Sequence, residues 1–175
     1  MLTDGFEEVE AVTPIDLLRR AGLEVIVAGL EKKDVTGSHG IRLTADVLLK
    51  DVKETPDAIV LPGGPGADTL GKSEEVRSIV RFMASSGKIV GAICAAPAMV
   101  LAPAGVLEGK TATCFPGLEG RLGSKTTFSE DRVVTDGDII TSRGAGTAME
   151  FSLELIKKLI SAEKAREVST QILAV

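Results

Sequence analysis

The chain has 175 residues, 44% hydrophobic and 26% charged, with a net charge of -5. That balance supports a buried core in a domain of ordinary size and argues against disorder. An acidic chain with no Trp, no Tyr and five Phe offers neither the positive surface nor the stacking platforms of a nucleic-acid binder.

No apolar run approaches the ~18 residues of a membrane span. The acidic start, Met1 to Glu10, lacks the positively charged lead of a signal peptide, so a cytoplasmic setting is expected. Two cysteines twenty positions apart make no disulfide framework, and one His without a C-x-x-C pair makes no zinc cluster. No metal site is expected from these residues.

In chain order, only Met1 to Thr3 precede a turn at Asp4-Gly5, so the first strand is very short or begins upstream. Glu7 to Ala21 carries apolar residues at helical spacing and ends at Gly22, with Pro14 predicting a kink or an early first turn. Glu24 to Leu30, Asp57 to Leu61 and Lys88 to Cys94 are apolar, β-branched runs that read as buried strands. Ser73 to Ser86 reads as a capped helix ending at Gly87, and Ala95 to Ala104 as a helix directly after the third strand. Arg132 to Thr135 and Ile139 to Ser142 flank Asp136-Gly137-Asp138 as a β-hairpin. Thr147 to Ile160 and Ala162 to about Leu173 close the chain as helices. This order predicts one α/β domain over residues 1–175: a doubly wound, mostly parallel sheet with helices on both faces and a β-hairpin insertion.

Cys94 stands where a strand turns into a helix. That turn lifts a side chain out at the carboxyl ends of the strands, where open α/β sheets bind ligands. Unpaired N–H groups at a helix start favour a thiolate, and lowering a thiol's pKa from about 8.5 to about 5.5 would ionise nearly all of it at pH 7. The small neighbours Ala92, Ala95 and Ala96 suit a sharp turn, and Pro62-Gly63-Gly64 ends the adjacent strand with glycines whose N–H groups can face an anionic oxygen. A buried structural cysteine and an ordinary tight turn remain open at this level. Gly105 lies one residue too close to Gly109-Lys110-Thr111 for a P-loop, and Gly144-x-Gly146 lacks the third glycine of a dinucleotide fingerprint.

Four segments together resemble the signature blocks of the ThiJ/PfpI superfamily, in the branch holding DJ-one and the bacterial YajL/ThiJ proteins. They are GFEEVEAV (Gly5 to Val12), VLPGGPGA (Val60 to Ala67), GAICAAPA (Gly91 to Ala98) and TSRGAGTAMEF (Thr141 to Phe151). The resemblance implies a flavodoxin-like, class I glutamine-amidotransferase-like fold. It makes Cys94 the nucleophile, Glu10 the acid hydrogen-bonded to its sulfur, and Gly63, Gly64 and Ala95 the donors of an oxyanion pocket. Arg143 then lines the site, Phe115 replaces a histidine found in some relatives, Cys114 lies near it, and His39 falls in a loop that reaches toward a partner subunit.

The implied activity is cofactor-free processing of small reactive carbonyls, of the glyoxalase or deglycase type. A redox-responsive stress protein or chaperone acting through oxidation of Cys94 is the rival. A peptidase ranks third, because Ala95 stands where peptidase members carry a His. A carboxylate beside a thiolate would repel it, so Glu10 is expected to be partly buried and protonated near neutral pH. The expected partners are a small carbonyl substrate or an oxidant and a second copy of the chain, with no nucleic acid and no membrane.

Overall fold

A computed structural model describes residues 1–174. The first helix, α1 (Glu8–Arg20), starts where the Glu7 carboxylate accepts the Glu10 N–H, and it runs unbroken through Pro14. The central sheet has four strands in the order β5 (Ala58–Leu61), β6 (Ile89–Ile93), β10 (Ile139–Ser142) and β9 (Val133–Asp136). The β5–β6 and β6–β10 pairs are parallel, and only β9 runs against its neighbour. The expected β9–β10 hairpin forms, and its second strand pairs with the central β6.

Alternation along the strands divides the core. Leu61, Val90, Ala92 and Ile139 face one layer, where α2 (Gly66–Lys72) supplies Leu70 and α3 (Glu74–Ser85) supplies Val76, Val80 and Met83. Ile89, Ile93 and Ile140 face the other, against Leu17 and Leu18 of α1, Phe151, Leu155 and Ile156 of α5 (Ala148–Leu159) and Val168 of α6 (Ala162–Gln171). Period 2 in the strands thus feeds two helical layers. Smaller pairs flank the sheet: β1 (Ala28–Gly29) with β4 (Val47–Leu48), β2 (Asp34–Thr36) with β3 (Arg42–Thr44), and β7 (Thr111–Ala112) with β8 (Thr127–Phe128).

Two expectations of local structure need correction. The strand expected over Glu24 to Leu30 shrinks to β1, because the Asp46 carboxylate takes the Val27 N–H (2.8 Å) where a strand partner would stand. The opening strand is very short, as one of the two readings of the start has it: a single bridge, Leu2 against Gly29. The segment after Cys94 is not a regular helix but a π-helical turn, Pro97–Leu101, followed by the short α4 (Ala102–Ala104). Such wide turns commonly mark functional sites.

Gly91 lets α5 approach the sheet. A Cβ there would lie 3.0 Å from Cζ of Phe151 and 3.1 Å from Cδ2 of Leu155. Gly91→Ala is expected to cost about 1–3 kcal/mol by overpacking, measured by urea denaturation; an unchanged midpoint would show that α5 shifts freely.

Candidate active site

Four chain segments converge at the carboxyl end of β6. Cys94 takes a left-handed backbone, φ 63°, which is strained for a residue with a side chain and turns the thiol out of the sheet. Its N–H donates to the Ser142 carbonyl at the end of β10 (2.9 Å), and its carbonyl accepts the Phe115 N–H (2.8 Å). The elbow is thereby tied to both neighbouring segments.

The loop after β5 brings the acid in. Gly63 N–H donates to Oε2 of Glu10 (2.8 Å), and the Gly63 carbonyl accepts the Glu7 N–H (3.1 Å) at the start of α1. A Cβ on Gly63 would fall 2.6 Å from Cβ of Cys94, 2.7 Å from Oε2 of Glu10 and 2.9 Å from the Ala95 nitrogen, so no side chain fits. Gly64, at φ 81°, lies as tightly against Gly5 and Glu7. The expected trio splits in function: the Gly64 and Ala95 N–H groups face the sulfur, while the Gly63 N–H holds the acid.

Glu10 is 1% exposed. Burial pushes its carboxyl up to about 7, against the pull of the Cys94 sulfur and the Gly63 N–H. Oε1 has no nitrogen or oxygen partner. The expectation of a buried, readily protonated acid is met.

The expected low thiol pKa is not. Cys94 is 8% exposed, and burial pushes the thiol up to about 12, with the negative charge of an ionised Glu10 adding to it. The Gly64 and Ala95 N–H groups pull the other way but are outweighed. Two like charges this close do not coexist, so the pair carries at most one negative charge, and it rests on Glu10 rather than on the sulfur. A helix start alone does not ionise this thiol.

The remaining candidates separate. Phe115 is 48% exposed, and its ring stands beside Gly144. Arg143 reaches the site through its backbone neighbours, while its guanidinium lies 5.8 Å from the Phe128 ring centroid with Nη1 buried and unpartnered. Cys114 is fully buried in the core, its thiol pushed up to about 11 by burial. His39 is exposed and serves Glu8: its N–H and Nδ1 lie 2.7 and 2.9 Å from the Glu8 carboxylate, which is held down to about 2 by these bonds against the cost of its burial. Glu7, Glu8 and His39 bring three donor atoms within 4.8 Å of one another, the one such group among the described residues. Their oxygens already cap α1 and clamp the His39 loop, so the cluster reads as a structural latch.

Two groups escape sequence reasoning. The Ser142 carbonyl anchors the elbow, and Thr147 pins the backbone of Gly144 through its hydroxyl (3.1 Å). Both lie in the TSRGAGT segment, whose threonine three residues after Gly144 was the available signal.

The Glu10 value has a sign. The carboxyl binds its proton more tightly folded (about 7) than unfolded (4.5), so its contribution to stability is fullest below 4.5 and is lost as pH rises through 7. Wild type measured against Glu10→Gln by urea denaturation between pH 4 and 8 should lose up to about 3 kcal/mol of relative stability across that window. Parallel curves for the two proteins would contradict it.

Residues 1–158 match the DJ-1/PfpI family. Protein DJ-1 homolog B of Arabidopsis thaliana is 46% identical over 168 residues, 94% of this chain but 38% of that protein, so the chain spans well under half of that relative. The glutathione-independent glyoxalase DJR-1.2 of Caenorhabditis elegans is 38% identical over 162 residues, 90% of this chain and 85% of the relative. The crystal structure of Drosophila melanogaster DJ-1beta superposes with a TM-score of 0.91 at 40% identity, covering 98% of this chain and 94% of that one. No helix among the described residues is long and apolar enough to cross a membrane. With its elbow cysteine, its buried acid and this match over most of its length, the chain belongs to the DJ-1/PfpI family.

Proposed function

We propose that the chain converts small 2-oxoaldehydes, methylglyoxal or glyoxal, to hydroxy acids without a cofactor. The observation that carries this reading is the Glu10 carboxyl, near pKa 7, buried against the Cys94 thiol with two N–H groups aimed at the sulfur. A group that is half protonated at neutral pH accepts and returns a proton with equal ease.

The steps balance. Glu10 takes the thiol proton as Cys94 Sγ bonds to the aldehyde carbon, and the carbonyl electron pair becomes an oxyanion beside the Gly64 and Ala95 N–H groups. Protonation of that oxygen gives a hemithioacetal. Glu10 then removes the proton on the former aldehyde carbon and delivers one to the neighbouring carbon, leaving a thioester of the hydroxy acid. Water cleaves the thioester, its hydroxyl going to the acyl carbon and its other hydrogen to the sulfur, so the thiol is restored and Glu10 ends as the carboxylate it began as. The sum is dicarbonyl plus water to hydroxy acid. The name of the C. elegans relative supports this reading.

A redox role is the rival reading, favoured by one feature: the N–H groups facing the sulfur would equally hold a sulfinate oxygen. We also infer a homodimer. Val9 and Val12 on α1 and the nearby Ile41 are apolar yet 46–58% exposed, as a buried contact face would be in an isolated chain.

Lactate formation from methylglyoxal decides between enzyme and sensor. Cys94→Ser is expected to lose at least about 1,000-fold, and Glu10→Gln about 100-fold or more, since general acid–base catalysis contributes 10²–10⁴. Wild-type turnover no faster than Cys94→Ser would leave the redox reading in its place.

A further inference from the structure

We propose that Glu7 is a positioning residue for the reaction at Cys94. Its carboxylate holds the backbone of Glu10, so that the acid enters the site level with the thiol. The inference rests on the carbonyl-processing reading above and adds a residue which that reading leaves out of the chemistry.

Three hydrogen bonds close a ring around the acid. The Glu7 N–H donates to the Gly63 carbonyl (3.1 Å), the Gly63 N–H donates to Oε2 of Glu10 (2.8 Å), and the Glu10 N–H donates to Oε2 of Glu7 (2.8 Å). Each residue in the ring holds both others. Glu10 is therefore fixed at two ends, its backbone by Glu7 and its carboxyl by Gly63. The ring also reaches the loop that faces the sulfur. A Cβ on Gly64 would lie 2.7 Å from the Glu7 nitrogen, so the start of α1 presses on the residue whose N–H faces Cys94.

Capping alone does not call for this residue. Helix starts favour Asn, Asp, Ser and Thr, whose short side chains satisfy the same N–H. The longer glutamate carries its charge past the cap. A carboxylate oxygen of Glu7 lies within 4.8 Å of the Glu8 carboxylate and of a His39 ring nitrogen. Burial is the main cause that raises the Glu10 carboxyl, and the negative charge of Glu7 adds to it. A short cap would serve the helix; a glutamate also sets a like charge near the working acid, which favours the protonated form.

Two variants separate the hydrogen bond from the charge. Glu7→Gln keeps an oxygen that accepts the Glu10 N–H and removes the charge, whereas Glu7→Ala removes both. Glu10 is titrated by NMR through its isotope-labelled carboxyl carbon, the signal being assigned by its loss in Glu10→Gln. Lactate formation gives kcat and KM for methylglyoxal in parallel. Misplacing a catalytic group by about 1 Å costs up to about 100-fold, so Glu7→Ala is expected to lower kcat at least about tenfold with KM within about threefold of wild type. Glu7→Gln should recover most of that loss. Removing one like charge is expected to lower the Glu10 midpoint by at least about 0.3 of a pH unit in Glu7→Gln, even at the screening of water. The midpoint should fall further in Glu7→Ala, where the released acid meets solvent. Equal midpoints in the two variants, or wild-type kcat in a folded Glu7→Ala, overturn the positioning role. If Glu7→Ala fails to fold by circular dichroism, the Glu7→Gln midpoint carries the test, and an unmoved one overturns the proposal. Absence of lactate from wild type overturns the carbonyl reading instead, and the two midpoints then decide the role of Glu7 by themselves.

Discussion

The contact between Gly63, Cys94 and Glu10 is the constraint around which the molecule is arranged. Three chain segments meet where no side-chain carbon fits: the end of β5, the elbow after β6 and the second residue pair of α1. The Gly63 N–H fastens the acid, its carbonyl fastens the start of the helix that bears the acid, and its bare Cα lets the thiol come alongside. The parallel register of β5 and β6, Leu61 opposite Ala92, brings the two strand ends level so that this meeting occurs. The two-layer core fixes that register, because a slip of one residue would turn Val90 and Ala92 from one helical layer to the other.

Within that contact, burial governs the chemistry. It raises the acid into the neutral range and raises the thiol further, so the pair exchanges a proton instead of holding two charges. The N–H groups of Gly64 and Ala95 compensate only in part. A thiol of this kind is latent until its proton moves. Strain at the elbow is tolerated because hydrogen bonds from Ser142 and Phe115 hold the peptide on both sides of Cys94.

The three acids of Glu7-Glu8-Val9-Glu10 mark the limit of local reading. They share a charge and a helix start, and their spacing predicts only an acidic first turn. In the fold Glu7 caps the helix, Glu8 is buried under the His39 loop, and Glu10 enters the site. The resemblance of GFEEVEAV to a family block identified Glu10; its hydropathy did not. Arg143 teaches the reverse. Its segment was legible, but its guanidinium turns to Phe128, and the neighbours Ser142 and Gly144 do the lining. The Glu24 to Leu30 run has the composition of a strand, yet Asp46 occupies the place of a partner, an interaction between residues 19 positions apart.

The sequence by itself determined the α/β class, the strands that build the central sheet, most helix limits and the place of Cys94 at a strand-to-helix turn. All of these follow from periodicity, caps and turn glycines acting over a few residues. The tertiary structure decided that Glu10 meets the thiol and how burial sets both their protons. Those depend on contacts such as Gly63 with Glu10, 53 positions apart, and on desolvation by the whole surrounding core. No local pattern encodes a quantity that exists only once distant segments have packed together.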